Sequence, residues 1–254
     1  MENPILNYRV IGEGHPVVFL HGFLENSTMW DEIIPHFTYR KVITIDLFGH
    51  GNSPDFSEEQ LTLEIVAKEV LHILRYEKIT SYSIIGHSLG GYVALSLLKL
   101  NPTNVNCQHL ILLNSHPWED SPTKKNERSQ VAAVVSKNKS LFLKTAIPNL
   151  FRTASLFPRQ VKQLISDAEK MTEKAIIDMT LAMRNRPDYV ELLENNEDKI
   201  YVMQGKYDNL ISFEKMRTFT TSLDISYFEI SEVGHMAHIE DPQTVVRMLL
   251  GILG

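Results

Sequence analysis

Short runs of continuous apolar residues set the frame for this chain of 254 residues. They are Val17-Val18-Phe19-Leu20, Val42-Ile43-Thr44-Ile45, Tyr82-Ser83-Ile84-Ile85, His109-Leu110-Ile111-Leu112-Leu113 and Ile200-Tyr201-Val202-Met203. A strand with one wet face alternates apolar and polar residues; a continuous run marks a strand covered on both faces, as in a parallel sheet. Asn7–Ile11 and Ile225–Ile230 add a strand at each end. Helical spacing lies between them: about Met29 to Phe37, Leu61 to Arg75, Tyr92 to Leu98 and Val245 to Leu253. In the second of these, Leu63, Val66, Ala67, Val70, Leu71 and Leu74 share one face. Strands alternating with helices predict an α/β chain with a mostly parallel central sheet flanked by helices.

His21, Asp46, Ser88, Asn114 and Asp208 fall at or just after strand ends. Ligands of such sheets sit beyond the carboxyl ends of the strands, so these side chains should gather along one edge. The rhythm breaks between residues 116 and 195, which hold helical segments at Val131–Ser136, Leu141–Ile147, Arg159–Lys170 and Thr172–Met183 and no convincing strand. The expected division is therefore a core of 1–115 and 196–254, with 116–195 inserted as a helical cap. No repeat or low-complexity stretch interrupts this plan.

Gly86-His87-Ser88-Leu89-Gly90 is a G-x-S-x-G pattern between a strand and a helix, the context in which it carries meaning. The flanking glycines suit a turn with no space for a Cβ, and the turn lifts the hydroxyl toward a helix N-terminus that favours negative charge. A serine needs a base to take its proton and a partner to orient that base. Asp208, in the loop after the strand at 200–203, and His235, just after the last strand, supply both in the order Ser, Asp, His.

Four segments in this order resemble the α/β-hydrolase fold family, in its small, helical-capped form: His21-Gly22-Phe23, Asp46 through Ser53, Gly86 through Gly91, and Gly205…Asp208 with Gly234-His235…Glu240-Asp241-Pro242. The resemblance implies Ser88 as nucleophile, His235 as general base and then acid, and Asp208 as the group that orients the imidazole. It also implies an oxyanion hole of the backbone N–H groups of Phe23 and Leu89. The implied reaction is hydrolysis of a carboxylic ester through an acyl-enzyme. Carbon–carbon bond hydrolysis, lactone hydrolysis and acyl transfer use the same triad, and some similar proteins are small-molecule receptors. Relatives that attack halides or epoxides carry an aspartate where this chain has Ser88.

Other residues compete for these roles. His87 neighbours Ser88, but its side chain should point away from the hydroxyl at a tight turn. His238 lies three residues past His235; Glu240, five past His235, sets the family register on His235. Asn114 occupies a position where some relatives place their acid, and an amide cannot stabilise an imidazolium as a carboxylate does. Asp46 and His50 are expected to pin the loop after their strand. Trp30, Trp118, Phe142, Phe151 and Met183 are candidates to wall an apolar substrate pocket, and no basic cluster in the cap is evident from the sequence.

Apolar residues make up 43% of the chain and charged residues 22%, with a net charge of −6. Scattered lysines and arginines in an acidic chain argue against nucleic acid as a partner. The single cysteine, Cys107, leaves no internal disulfide and no cysteine-based metal cluster. No metal and no cofactor is expected, and the partner is a small-molecule substrate. No basic-then-apolar leader and no bilayer-length apolar stretch is present, so a cytoplasmic enzyme, monomer or homodimer, is the expectation.

Overall fold

The computed structural model describes residues 2–100 and 103–254. Seven strands form one sheet: β1 Tyr8–Ile11, β2 His15–Leu20, β3 Arg40–Ile45, β4 Ser81–His87, β5 Asn106–Leu113, β6 Ile200–Gly205 and β7 Ser226–Ile230. Their spatial order is β1-β3-β2-β4-β5-β6-β7. Only the β1–β3 pairing is antiparallel; every other neighbour runs parallel. The mostly parallel sheet expected from the apolar runs is the architecture observed.

Each face of the sheet buries its own core. One contains Val18, Leu20, Ile43, Ile84 and Leu110 packed with α1 (Leu63–Tyr76) and α2 (Leu89–Leu100). The other contains Val17, Phe19, Ile85 and Ile111 packed with Val245, Val246 and Leu249 of α9 (Pro242–Leu253). Successive residues of a strand point to opposite faces, so Val17 and Val18 belong to different cores although both are fully buried.

Between β5 and β6 lie α3 (Pro122–Ala146), α4 (Pro158–Glu169), α5 (Glu173–Arg184) and α6 (Val190–Glu194). The two segments expected at 131–136 and 141–147 fall on either side of a break in α3 at Asn138, where the backbone leaves the helical region at φ −160° and two helices meet at a kink. Ser121 caps the start of α3 by accepting from the Lys124 N–H. Val135, Leu143, Ile147, Ala168, Met171 and Ile176 join Leu24 in a third, smaller core. α7 (Phe213–Ser222) and α8 (Ala237–Glu240) complete the helices.

The helix expected over Met29–Phe37 does not form. The chain makes two single 3-10 turns there, Ser27–Trp30 and Ile34–His36. Pro35 has no N–H to extend a helical ladder through the segment. No helix among the described residues is long and apolar enough to cross a membrane.

Candidate active site

The serine turn begins where β4 ends. Ser88 has φ +48°, a left-handed conformation that a serine adopts only when its surroundings enforce it. A Cβ at Gly86 would lie 2.4 Å from the Gly90 carbonyl, and one at Gly90 would lie 2.4 Å from the Leu20 oxygen. Both are sub-contact distances to backbone, so glycine at these positions is a packing requirement. The Ser88 N–H donates to the Leu113 oxygen at 3.0 Å, and the Ser115 hydroxyl donates to the Ser88 oxygen at 2.7 Å. The turn is thus tied to the neighbouring strand β5.

Ser88 Oγ lies 2.9 Å from His235 Nε2, and His235 Nδ1 lies 2.9 Å from Asp208 Oδ2. Asp208 also accepts from Asn114 Nδ2 at 2.8 Å and from the N–H groups of Leu210 and Ile211 at 2.9 and 3.1 Å. Burial pushes its pKa up, but the adjacent His235 ring and these donors outweigh that push and hold the carboxyl below its usual range. Asn114, read from the sequence only as a rival acid position, turns out to brace Asp208. The His235 loop is fixed from both ends. Its N–H donates to the Leu150 oxygen at 3.0 Å, and the Glu240 carboxylate accepts from Gly234 N–H at 2.9 Å and Arg152 N–H at 3.0 Å.

The Gly22–Phe23 peptide is oriented by His21. Its Nε2 accepts from the Leu47 N–H at 2.9 Å, so its proton sits on Nδ1, which donates to the Gly22 oxygen at 2.7 Å. Burial keeps this ring neutral by lowering its pKa. In a trans peptide the C=O and the next N–H point oppositely, so the Phe23 N–H is turned away from His21. The Leu89 N–H is the first donor of α2, where helical donors lack intrahelical partners.

Beside this centre lies a second carboxylate–histidine pair. His87 Nδ1 is 2.7 Å from Glu25 Oε2, and His87 Nε2 is 2.9 Å from the His235 carbonyl oxygen. His238 Nε2 lies 3.1 Å from Glu25 Oε1. Glu25, His87 and His238 therefore bring three potential metal-ligand atoms within 4.8 Å of one another. Glu25 Oε2 is already engaged by the Gly22 N–H at 2.6 Å, and the 2.7 Å separation from His87 is a hydrogen-bond length. Asp46 and His50 stay in the loop after β3. Asp46 accepts from Ser27 N–H at 2.7 Å and Asn52 N–H at 3.0 Å, and His50 contacts the Phe48 oxygen at 2.8 Å.

A cavity of about 640 Å³ opens over Ser88 and His235. Phe23, Trp118, Phe142 and Met183 line it. Trp30 does not: it is fully buried on the other face of the sheet, edge-on to Phe19 with ring centroids 5.1 Å apart. Phe151 is also outside the lining; it is buried and stacks on Phe157 at 5.6 Å. The cavity also has a charged side that the sequence concealed, with Glu119, Asp120 and Glu127 beside Lys124, Arg128 and Lys215. Arg128 and Arg186 both pair with Asp120, the latter at 2.8 Å, and Lys215 lies 3.8 Å from the Trp118 ring centre. Lys124–Glu127 and Lys125–Glu119 are matched pairs at 2.9 and 2.6 Å. Arg186 lies behind the cavity wall with a fully buried side chain, so the Arg128–Asp120 pair is the part of this cluster that lines the cavity, and Lys215 lines it as well.

The sequence matches the family described as alpha/beta hydrolase fold over residues 15–242. This chain belongs to that family. It is similar to a 2-succinyl-6-hydroxy-2,4-cyclohexadiene-1-carboxylate synthase of Enterobacter sp. (strain 638), 25% identical over 93% of this chain and 91% of the relative. A putative esterase/lipase of Haemophilus influenzae is 25% identical over 92% of this chain and 81% of its own length. Among solved structures, a thermophilic esterase from Thermogutta terrifontis superposes with a TM-score of 0.90 at 25% identity, covering 98% of this chain and 92% of that one. The α/β-hydrolase is thus an enzyme of the hydrolase class.

Proposed function

We propose that this α/β-hydrolase cleaves carboxylic esters through an acyl-enzyme on Ser88. The observation that carries the reading is the unbroken line Ser88 Oγ–His235 Nε2 and His235 Nδ1–Asp208, at 2.9 Å for each contact. Ser88 Oγ attacks the ester carbonyl while His235 takes its proton. The Phe23 and Leu89 N–H groups stabilise the oxyanion. His235 returns the proton to the departing alkoxide, leaving the acyl group on Ser88. Water, deprotonated by His235, then releases the acid and restores the serine. Residues 116–195 act as a cap that covers the reacting carbonyl and limits water to the deacylation step.

The cavity supports a substrate with an apolar body and a carboxylate. Phe23, Phe142 and Met183 supply apolar wall, while Lys215 is the lining cation that pairs with no carboxylate among the described residues. A second reading has the same triad serve a different reaction, such as carbon–carbon bond cleavage. It is favoured by the full-length similarity to relatives named as a carboxylate synthase.

Two esters of one phenol, a hemisuccinate and a butyrate, test both parts. The expected kcat/KM favours the charged ester by about tenfold, worth about 1.4 kcal/mol, and Lys215→Gln reduces that preference. Preference for the butyrate by the wild type would contradict the charged-substrate reading. Turnover of neither ester would favour the second chemistry.

A further inference from the structure

Glu25 and His87 play no part in the proton transfers at Ser88, yet both are buried beside them. We infer that they form a permanent ion pair whose task is positional: it ties the oxyanion loop, the serine turn and the backbone of the general base into one unit. The inference rests on reading Ser88, His235 and Asp208 as an acyl-transfer centre.

The bonding pattern assigns the charges. His87 Nε2 faces the His235 carbonyl oxygen at 2.9 Å, and a carbonyl can only accept. His87 Nδ1 faces Glu25 Oε2 at 2.7 Å. That oxygen also accepts from the Gly22 N–H at 2.6 Å, while Oε1 faces His238 Nε2 at 3.1 Å. Oε2 thus takes two hydrogen bonds while Oε1 and His238 Nε2 do not form one, and we place the proton shared between Oε2 and Nδ1 on the ring, which leaves the carboxyl as the carboxylate. His87 then donates from both ring nitrogens and is an imidazolium.

The electrostatics agree. Burial penalises the charge on His87, but the adjacent Glu25 outweighs it and raises the pKa. Burial likewise penalises Glu25, and the two histidines bring it well below the usual carboxylate value. His238 is pushed down to about 4, chiefly by burial, and stays neutral. The pocket therefore holds one positive and one negative charge. The groups facing His87 are Glu25, the His235 and His238 rings at 5.1 and 4.4 Å between centroids, and, at longer range, Asp208 and His21.

The geometry shows what the pair connects. Gly22 donates its N–H to Glu25, and the following peptide carries the Phe23 N–H. The loop closes through Leu24 at φ +66°, with Glu25 N–H donating to the Gly22 oxygen at 3.3 Å. A Cβ at Gly22 would lie 2.3 Å from Glu25 Oε2 and 2.6 Å from His87 Nδ1, so the glycine makes room for the pair itself. His87 immediately precedes Ser88 and grips the backbone of His235. A buried ion pair is weak evidence for stability but can fix one arrangement of the parts around it. Three parts that must meet within a fraction of an ångström give such a fixing role a clear use.

The test begins with wild-type protein, by 15N NMR of the histidine rings together with labelling of Ser88 by a fluorophosphonate. His87 is expected to show both nitrogens protonated at pH 7, above the ordinary histidine value, while His238 is neutral. Glu25→Gln keeps the side-chain size and removes the charge. It is expected to convert His87 to the neutral ring, lower kcat and the labelling rate by roughly 10- to 100-fold, and leave KM within about threefold. Glu25→Gln with an unchanged melting temperature and unchanged labelling rate would overturn the inference. So would a neutral His87 in the wild type at pH 7, or binding of one equivalent of added zinc that removes the ring protons. Failure of wild-type Ser88 to label at all would instead strike the acyl-transfer reading beneath it.

Discussion

Two carboxylate–histidine pairs stand side by side in this molecule, with the rings of His87 and His235 5.1 Å apart. Their inner contacts are nearly alike: Asp208 to His235 Nδ1 at 2.9 Å, and Glu25 to His87 Nδ1 at 2.7 Å. The outer contacts differ. His235 Nε2 faces the Ser88 hydroxyl, which can give or take a proton. His87 Nε2 faces a backbone carbonyl, which can only accept one. On the proposed reading, a carboxylate–histidine pair thus serves as a base in one place and as a fixed cation in the other. The group across the ring, rather than the carboxylate, decides the use.

The largest expected effect separates the two pairs. Asp208→Asn keeps the shape of its pair but permits the wrong tautomer of His235. Turnover should fall by about 10³- to 10⁴-fold, with little change in melting temperature. A loss of less than tenfold would show that the Asp208 pair does not orient the base.

Acid should distinguish the histidines collectively. Burial lowers the pKa values of His21, His50, His116 and His238, taking His50 to about 3 and His238 to about 4. A histidine held neutral in the fold binds its proton only on unfolding. Its contribution to stability is therefore complete above pH 6.5 and is lost as pH falls toward the folded value. For His238 the displacement from 6.5 to about 4 corresponds to roughly 3 kcal/mol. His87 has the opposite sign: its contribution is complete below pH 6.5 and is lost only as pH rises through its raised value. The melting temperature is expected to drop by at least about 5 °C from pH 7 to pH 5. A flat profile across that interval would mean these rings are already charged or free to charge.

The smallest effect belongs to His238→Ala. His238 touches Glu25 but neither Ser88 nor Asp208. Turnover should fall by less than about tenfold, and the pH 7-to-5 slope of stability should flatten. A loss as deep as that of Asp208→Asn would reverse the ranking of the two histidines.

The sheet was legible because burial on both faces leaves continuous apolar runs, and the strand-end residues were legible because parallel topology sends them to one edge. Trp30 was misread for a local reason. A large aromatic near a strand end suits either side of the sheet, and here the turn at Ser27–Trp30 directs it under Phe19. Phe151 was misread because its stacking partner, Phe157, lies in the same irregular stretch. Arg128, Asp120, Arg186 and Lys215 come from separate helices and loops, so no window of sequence reveals their meeting. Glu25 carries no motif signal in the sequence, and only the fold places His87 and His238 around it.

Acylation of Ser88 is visible by mass spectrometry of the protein quenched during turnover of an aryl ester. An adduct of the acyl mass is expected on the peptide containing Ser88, absent in Ser88→Ala, whose melting temperature is unchanged or higher. Undiminished ester turnover by Ser88→Ala, or an acyl adduct on another residue, would contradict the acyl-enzyme on Ser88.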